Sequence, residues 1–182
     1  MNEINGNTIL LVIDMQVGII DGFSAYRGKE VLDRINTLLE RARASGTPVI
    51  YVQHNGAEDH PLKPNTPAWQ IHPAIKPRDT ELIINKRSAD SFFETPLKRE
   101  LESLGIKHVV VAGCMTEYCV DTACRSAVAH GFDVTLASDA HTTIDNAGLK
   151  AEQIIAHHNS LLDGFDAGSH TVTVRPTDSI EF

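Results

Sequence analysis

Short apolar runs alternate with amphipathic helical patterns along the sequence. The runs are rich in branched side chains and lie at Thr8 to Asp14, Pro48 to Gln53, Glu81 to Lys86, His108 to Ala112, Asp133 to Ala137 and His170 to Val174. A continuous apolar run bounded by polar residues is typical of a parallel strand covered on both faces. Every connection is long enough for a right-handed crossover. The sequence therefore predicts an α/β fold, a doubly wound and mostly parallel six-stranded sheet in the order 3-2-1-4-5-6 with helices on both faces.

Four helical patterns fill the connections. The first ends at Gly46 and presents an apolar face made of Val31, Leu32, Ile35, Leu38 and Leu39. The second starts at Thr95-Pro96 and ends at Gly105. The third carries Cys119, and the fourth spans roughly 147–159. Glycine after the last apolar position and Thr-Pro before the first are ordinary stop and start signals for helices.

The composition is that of an ordinary globular domain. The chain has 182 residues, of which 42% are hydrophobic and 22% charged, so we expect one domain over residues 1–182. With 16 basic and 24 acidic residues, the net charge of −8 and the scattered Lys and Arg residues argue against a nucleic-acid or membrane partner. Residues 1–14 lack a basic region and a long apolar run, so no signal peptide is expected, and no run approaches a membrane span. The cysteines at 114, 119 and 124 form no metal-type pair and no even-numbered disulfide framework, which favours a reducing, cytoplasmic setting.

Residues 107–129 combine a buried strand, a glycine turn and a helix that carries a cysteine. Thr116 is a candidate N-cap, which would place Cys119 about three residues inside the helix, near free backbone N–H groups and the positive end of the helix dipole. Such a position stabilises a thiolate, and the thiolate is the nucleophilic form of cysteine. A cysteine buried as a small hydrophobic residue is the alternative.

Three reactive side chains arrive at one edge of the predicted sheet. Asp14 ends the first strand, Lys86 ends the third, and Cys119 follows the fourth. Ligands of doubly wound sheets bind at the carboxyl ends of the strands, here between strands 1 and 4. An acid can take the proton of a thiol and return it to a leaving amine, while a lysine offsets the repulsion between carboxylate and thiolate. The N–H groups of Met115 and Cys119 are candidates for an oxyanion hole. A loop cap is the alternative role for Asp14, and a solvated surface position is the alternative for Lys86.

Residues 54–80 form an unusually long connection. Prolines lie at 61, 64, 67, 73 and 77, the periodicity is weak, and the single tryptophan, Trp69, falls within it. A connection this long in a compact domain is usually functional or disordered. We predict a lid or pocket wall, with an oligomer contact as the second interpretation.

The candidates for the wall of a substrate pocket are His54, Asn55, Trp69, Phe92 and Tyr118. Tyr118 precedes the candidate nucleophile, and a subunit contact is its alternative role. Asp139 and His141 follow the fifth strand, where pocket lining and loop capping are both open. The expected partners are a small-molecule substrate and further copies of this chain, in a homodimer or a higher homo-oligomer.

Several segments together resemble the isochorismatase-like cysteine hydrolases, a superfamily that includes nicotinamidases, carbamoyl-amide hydrolases and maleamate amidases. The matching segments are LLVIDMQ (10–16), the Lys86 segment with Phe92, Thr95 and Leu97 after it, VVVAGCMTEYCVDTACRSA (109–127), DAHTT (139–143) and HHN (157–159). The resemblance implies a catalytic triad of Asp14, Lys86 and Cys119. It also implies a cis peptide bond between Cys114 and Met115, which aims the Met115 N–H at the oxyanion.

Departures from the family pattern narrow the expected function. In nicotinamidases an Asp-x-His after strand 2 binds a metal, whereas this chain has Gln53-His54-Asn55 there, so no metal is predicted. No G-x-G-x-x-G follows the first strand and no P-loop sequence is present, so no cofactor is predicted either. The retained Cys119 favours a cysteine-dependent hydrolase that cleaves the C–N bond of a small amide, carbamoyl or cyclic amide substrate through a thioester acyl-enzyme. The alternatives are an isochorismatase-type enol-ether hydrolase and a non-catalytic small-molecule-binding member of the fold.

Overall fold

The computed structural model describes residues 6–182. The prediction that the N-terminus carries no signal peptide falls partly on residues 1–5, which lie outside the described residues. Its strands are β1 (Thr8–Ile13), β2 (Val49–His54), β3 (Leu82–Lys86), β4 (His108–Cys114), β5 (Asp133–Thr142), β6 (Asp166–Ala167) and β7 (His170–Arg175). Its α-helices are α1 (Gly28–Ser45), α2 (Leu97–Ser103), α3 (Asp121–Ala129) and α4 (Ala151–Leu162). π-helical turns span Gly18–Gly22 and Thr116–Val120, and 3₁₀ turns span Pro67–Trp69, Pro73–Ile75 and Thr177–Ser179. Among residues 6–182, no helix is both long enough and apolar enough to cross a bilayer.

The strands form one sheet in the order β3-β2-β1-β4-β5-β7-β6. Neighbouring strands from β3 to β7 are parallel, and β6 pairs antiparallel with β7. The predicted doubly wound order is confirmed, with β7 as the strand predicted at 170–174. The predicted number of strands was wrong by one. Strand β6 has two residues, which is too short for a pattern of apolar side chains to reveal.

Both faces of the sheet are covered, as the residues of β1 illustrate. Ile9, Leu11 and Ile13 join a buried cluster with residues of α2 and α3, whereas Leu10 and Val12 join a second cluster with residues of α1. Each of these five side chains is at most 1% exposed. Burial on both faces explains why the sequence of β1 is an unbroken apolar run.

Gly113 lets β4 approach β1 closely at the carboxyl edge of the sheet. Its φ of 133° is rarely adopted by residues with a Cβ, and a Cβ there would lie 2.1 Å from the carbonyl oxygen of Ile13. The two strands remain paired up to this point, with Ile13 opposite Gly113. This close approach therefore fixes where β4 ends and where the turn that carries Cys119 begins.

Strand β5 continues past its predicted end at Ala137. Its pairing with β4 is interrupted, since Val111 lies opposite Leu136 whereas Gly113 lies opposite His141. The additional residues of β5 bulge outward between these pairs, and such an interruption breaks the alternation on which a strand prediction depends. The bulge brings His141 to the carboxyl edge, beside the end of β4.

Residues 54–80 are a packed part of the domain. Leu62 and Ile75 are only 2% and 1% exposed and belong to the core cluster on the α1 face. Gln16, just after β1, forms an antiparallel bridge with Ile71. This segment is therefore anchored at the carboxyl edge of the sheet, as a pocket wall requires.

Candidate active site

Lys86 lies at the centre of a buried polar cluster at the carboxyl edge of the sheet. Its Nζ is 2.7 Å from Asp14 Oδ2 and donates to Cys119 Sγ at 3.1 Å. It also donates to the carbonyl oxygen of Ser88 at 2.8 Å. A longer contact of 3.5 Å joins it to the carbonyl oxygen of Ala89. An ammonium group has three N–H donors, so these acceptors leave none of them free. The structure thus brings the three residues predicted from the sequence together around one cation.

Asp14 is held just after β1 in a left-handed backbone conformation. Its φ is 50°, a region that costs a non-glycine residue about 1–2 kcal/mol. Its N–H donates to the carbonyl oxygen of Val52 at 2.9 Å. Its own carbonyl oxygen accepts from the Gln16 N–H at 2.8 Å and from the Cys114 thiol at 3.0 Å. These contacts fix the backbone while Oδ2 meets Lys86, and the buried Oδ1 has no hydrogen-bond partner among residues 6–182.

Cys119 is the fourth residue of the π-helical turn that leads into α3. Met115 is the N-cap residue of this turn and makes no side-chain cap. The prediction that Thr116 caps the helix was wrong, because Thr116 is the first residue of the turn and its hydroxyl bonds to His141. The peptide bond between Cys114 and Met115 is cis, as the resemblance implied. The Met115 N–H finds no acceptor within the part of the chain that the structure describes.

Burial dominates the electrostatics of this cluster. Burial, together with the Asp14 carboxylate, raises the pKa of Cys119 to about 12, although Lys86 acts in the opposite direction. Burial alone would lower the pKa of Lys86, but Asp14 and Cys119 raise it above its ordinary value. At neutral pH the lysine is therefore an ammonium and the cysteine a thiol. Burial and the Asp14 carboxylate thus oppose the stabilisation of a thiolate expected from the helix terminus, and Lys86 offsets part of their effect.

Cys119 is also the most accessible of the three cysteines. Cys114 and Cys124 are free, buried thiols with 0% exposure, whereas Cys119 is partly accessible. Burial raises the pKa of both buried thiols. The geometry leaves Cys119 as the candidate nucleophile and the other two as core residues.

A family model for the isochorismatase domain matches residues 8–171. The chain belongs to the isochorismatase-like hydrolase family. The matched range includes all three side chains of the buried cluster, Asp14, Lys86 and Cys119.

Proteins named for several different hydrolase activities are similar to this chain. It is 36% identical to a streptothricin hydrolase of Streptomyces noursei over 137 residues, which cover 75% of this chain and 50% of that protein. The chain thus spans about half the length of that curated relative. It is 31% identical to nicotinamidase 3 of Arabidopsis thaliana over 150 residues, covering 75% of this chain and 73% of the relative. The crystal structure of an isochorismatase from Pseudomonas putida KT2440 is 31% identical, with a TM-score of 0.88 and coverage of 96% of this chain and 90% of that one.

In this isochorismatase-family chain, two of the predicted wall residues, His54 and Asn55, lie at the end of β2, and a third, Trp69, is bonded to Asn55. His54 is the register partner of Lys86, and side chains at paired positions of adjacent strands point to the same face. Burial lowers the pKa of His54, and Lys86 lowers it further against the opposing effect of Asp14, so the ring is neutral at neutral pH. Asn55 Oδ1 accepts from the indole N–H of Trp69 at 2.8 Å. This bond ties the indole to the end of β2.

The other two predicted wall residues, Phe92 and Tyr118, have contrasting positions. The Phe92 ring is 7% exposed and lies 5.0 Å from the ring of His130 and 6.3 Å from that of Phe132. It belongs to a hydrophobic core cluster, and its role as a wall residue stays a prediction. Tyr118 is 56% exposed, and both of its predicted roles, pocket wall and subunit contact, stay predictions.

Gln53 and Asn55, where the family resemblance leads us to expect the metal ligands of nicotinamidases, have other partners in this chain. Gln53 is buried and donates its amide N–H to the carbonyl oxygen of Trp69 at 2.8 Å. Asn55 accepts from the indole of the same residue. Over residues 6–182, no group of three or more His, Cys, Asp or Glu side chains is arranged to hold a metal ion. Metal independence stays a prediction that activity measurements must test.

Sequence reasoning missed Gln16. Its buried amide donates to the carbonyl oxygens of His54 at 3.1 Å and Trp69 at 2.8 Å, and its Oε1 accepts from the His54 N–H at 3.0 Å. One side chain thus joins the ends of β1 and β2 to the segment of residues 54–80. The available signal was a glutamine directly after a buried strand, since a buried amide requires several partners.

The structure also separates the roles of Asp139 and His141. Asp139 Oδ1 accepts from the N–H and the hydroxyl of Thr177 at 2.8 and 2.7 Å, so Asp139 caps the C-terminal 3₁₀ turn. His141 is 1% exposed and bonds to Thr116 and Asn159. The contacts of His141 with Thr116 and Asn159 could not be predicted from the sequence, because they depend on the bulge in β5.

Proposed function

We propose that this protein is a cysteine-dependent amidohydrolase that cleaves the C–N bond of a small amide, carbamoyl or cyclic amide substrate through a thioester acyl-enzyme. The observation that carries the proposal is Lys86 Nζ bridging Asp14 Oδ2 at 2.7 Å and Cys119 Sγ at 3.1 Å. An acid, a cation and a nucleophile thereby meet at the switch point of a doubly wound sheet. The nicotinamidase among the relatives supports an amide as the substrate.

In the acylation step Cys119 attacks the carbonyl carbon of the substrate. As the C–S bond forms, the thiol proton passes to Asp14, whose Oδ1 is buried without a partner among the described residues. Because the pKa of the thiol is raised to about 12, proton transfer accompanies the attack and no free thiolate accumulates. The Lys86 ammonium stabilises the negative charge that develops on sulfur. The N–H groups of Met115 and Cys119 donate to the oxyanion of the tetrahedral intermediate.

In the next step the tetrahedral intermediate loses its nitrogen. Asp14 returns the proton to the departing nitrogen, the C–N bond breaks, and ammonia or an amine leaves a thioester on Cys119. Asp14, again a carboxylate, then takes a proton from a water molecule that attacks the thioester. The C–S bond then breaks, Asp14 returns its proton to the sulfur of Cys119, and the acid product leaves. The balance is one amide and one water converted to one acid and one amine.

The proposed substrate is small and carries little charge. His54, Asn55 and Trp69 form the proposed wall, and the lowered pKa of His54 leaves a neutral ring that can donate or accept a hydrogen bond. The net charge of −8 disfavours a dicarboxylate. A neutral carboxamide or carbamoyl group meets both conditions.

A side-by-side comparison of substrates tests this proposal. We would measure kcat/KM for small primary amides, carbamoyl compounds, ureides and lactams by release of ammonia or amine, and for isochorismate by enol-ether cleavage. At least one amide or carbamoyl compound should exceed isochorismate, and Cys119→Ala should abolish its turnover. The reverse ranking, with isochorismate turnover surviving Cys119→Ala, would replace the proposal with enol-ether hydrolysis. Binding of these compounds without turnover of any would support a non-catalytic protein.

A further inference from the structure

A buried chain of hydrogen bonds links helix α4 to the turn that carries Cys119. His141 Nδ1 lies 2.8 Å from Thr116 Oγ1, and His141 Nε2 lies 2.8 Å from Asn159 Oδ1. Asn159 Nδ2 donates to the carbonyl oxygen of Ser138 at 3.0 Å. Thr116 is 0% exposed and His141 is 1% exposed. None of these hydrogen bonds involves Asp14 or Lys86, and the chain ends at Thr116, the first residue of the turn that carries Cys119.

The partners fix the direction of each hydrogen bond. Because the Asn159 amide N–H donates to Ser138, its Oδ1 acts as the acceptor and His141 Nε2 carries the hydrogen. Burial lowers the pKa of His141 to about 4, so the ring is neutral at neutral pH and Nδ1 is an acceptor. The Thr116 hydroxyl therefore donates to Nδ1, and the ring is held at both nitrogens.

Thr116 sits where a small displacement affects the nucleophile. It is the first residue of the π-helical turn and lies three positions before Cys119 within the same turn. The N-cap of this turn makes no side-chain hydrogen bond, so the Thr116 hydroxyl is a side-chain anchor that the cap does not provide. His141 is itself anchored, because it lies opposite Gly113 at the edge of the sheet. The histidine thus connects the rigid sheet to the turn that places Cys119 Sγ 3.1 Å from Lys86 Nζ.

We propose that His141 is a positioning residue that, through the Thr116 hydroxyl, holds Cys119 in register with Lys86 and Asp14. This inference rests on the proposed function, in which Cys119 is the nucleophile. His141 does not contact the reacting atoms; it orients the turn that carries them. Loss of the Thr116–His141 bond should therefore lower kcat on the order of 10- to 100-fold, the scale of a small misplacement of a reacting group, with little change in KM.

Two substitutions of His141 separate the two ends of the ring. In His141→Asn the side-chain amide replaces Nδ1 and keeps an acceptor for Thr116, while the bond to Asn159 is lost. In His141→Gln the longer amide replaces Nε2 and keeps the donor to Asn159, while the bond to Thr116 is lost. Thr116→Val and Thr116→Ser form the matched pair on the other side, since valine keeps the shape of threonine without the hydroxyl and serine keeps the hydroxyl.

The experiment compares these variants at a temperature where thermal denaturation shows each of them folded. Single-turnover and steady-state kinetics give kcat and KM, and the rate of Cys119 alkylation by iodoacetamide gives a readout that needs no substrate. We expect His141→Asn and Thr116→Ser to keep kcat and the alkylation rate within a few-fold of those of the unmodified protein, because each retains the hydrogen bond between positions 116 and 141. We expect His141→Gln and Thr116→Val to lose kcat and alkylation rate to the same extent, and their double variant to lose no more than either.

The proposal is overturned if His141→Asn and His141→Gln are impaired equally, or if Thr116→Val keeps the full kcat and alkylation rate. Equal impairment together with equal loss of thermal stability would assign the ring a purely structural role. Failure of the proposed function is distinguishable, because alkylation would still rank the variants if no amide were hydrolysed. Amide turnover without the predicted ranking would refute the positioning role alone.

Discussion

Asp14 Oδ2 lies 2.7 Å from Lys86 Nζ, and the two side chains are 1% and 0% exposed. Burying two charges costs free energy that their attraction repays only when the geometry is good, so a buried ion pair is weak evidence for stability. Here the ammonium also donates to Cys119 Sγ, which gives the pair a chemical role in addition to its mutual attraction. Altering one partner and then both therefore separates the contribution of the pair to stability from its contribution to activity.

Removing one partner of this pair should reduce stability and activity together. We expect Lys86→Met and Asp14→Asn each to lower the free energy of unfolding by about 3 kcal/mol, since each leaves a buried charge without its partner. Each should also lower kcat/KM by about 1,000-fold or more. The double variant should regain most of the stability and none of the activity. Urea unfolding and amide turnover provide the measurements.

The matched control is Lys150→Ala, which removes an ammonium paired with Asp145 on the surface. It should leave both measurements unchanged. A double variant as unstable as the single ones would show that the loss comes from disrupted packing and not from an unpaired charge.

Removal of metal ions should not affect the reaction. Gln53 and Asn55 stand where metal-binding relatives are expected to have ligands, and both bond to Trp69 instead. Protein dialysed against a chelator should therefore keep its full amide turnover. Elemental analysis that finds a stoichiometric metal, with activity lost on its removal and restored on its return, would refute this prediction.

Gln16 should contribute more to the 54–80 wall than Gln53 does. Gln16→Leu removes the hydrogen-bond partners of the N–H and the carbonyl oxygen of His54, and one of the two partners of the Trp69 carbonyl oxygen. Gln53→Leu removes only the other partner of the Trp69 carbonyl oxygen, which still accepts from the Gln16 amide. We expect Gln16→Leu to lower the free energy of unfolding by about 3 kcal/mol and Gln53→Leu by about 1 kcal/mol. Gln16→Leu should also raise KM and speed proteolysis within the wall. Indistinguishable losses in the two variants would mean that the Gln16 contacts do not anchor this segment.

His141 should make stability depend on pH in the mildly acidic range. Burial lowers its pKa in the folded protein to about 4, and a hydrogen bond to Asn159 only partly opposes this. In the unfolded chain the pKa of histidine is about 6.5, so as pH falls from about 6.5 to about 4 the unfolded chain binds a proton that the folded protein does not. The folded state should therefore lose about 2 kcal/mol between pH 7.5 and pH 5 from this residue alone.

The difference between the unmodified protein and His141→Asn isolates this contribution, because the other titrating groups are common to both. Urea unfolding at the two pH values should show a smaller loss in the variant by about 2 kcal/mol. The same loss in both proteins would mean that His141 is not held neutral in the folded state.

The sheet could be predicted because its strands are buried on both faces. An unbroken run such as Thr8 to Asp14 reveals such a strand directly, and the position of Asp14 and Lys86 at strand ends then follows from the topology. Gly46 ends α1 as predicted, with a φ of 79° and its N–H bonded to the carbonyl oxygen of Ala42. Residue pattern and topology were sufficient for these features, because each depends on the local chain and on a general rule of connection.

The features that were missed depend on contacts that the chain forms only after folding. The local sequence around Thr116 is typical of a helix N-cap, but the bulge in β5 places His141 beside the Thr116 hydroxyl, which bonds to the histidine instead. The extent to which burial raises the pKa of Cys119 is a second such feature, since it depends on how completely the cluster is enclosed. The expected homo-oligomer, which concerns contacts beyond one chain, stays a prediction.

The central claim is that Cys119 carries the acyl group during turnover, and intact-protein mass spectrometry after acid quenching tests it most directly. With an amide substrate that deacylates slowly, the unmodified protein should gain the mass of the acyl group, and peptide mapping should place that mass on Cys119. Cys124→Ala, which removes a buried thiol outside the cluster, should keep the adduct, whereas Cys119→Ala should lose both the adduct and turnover. An adduct on another residue, or near-normal turnover by Cys119→Ala, would contradict the account.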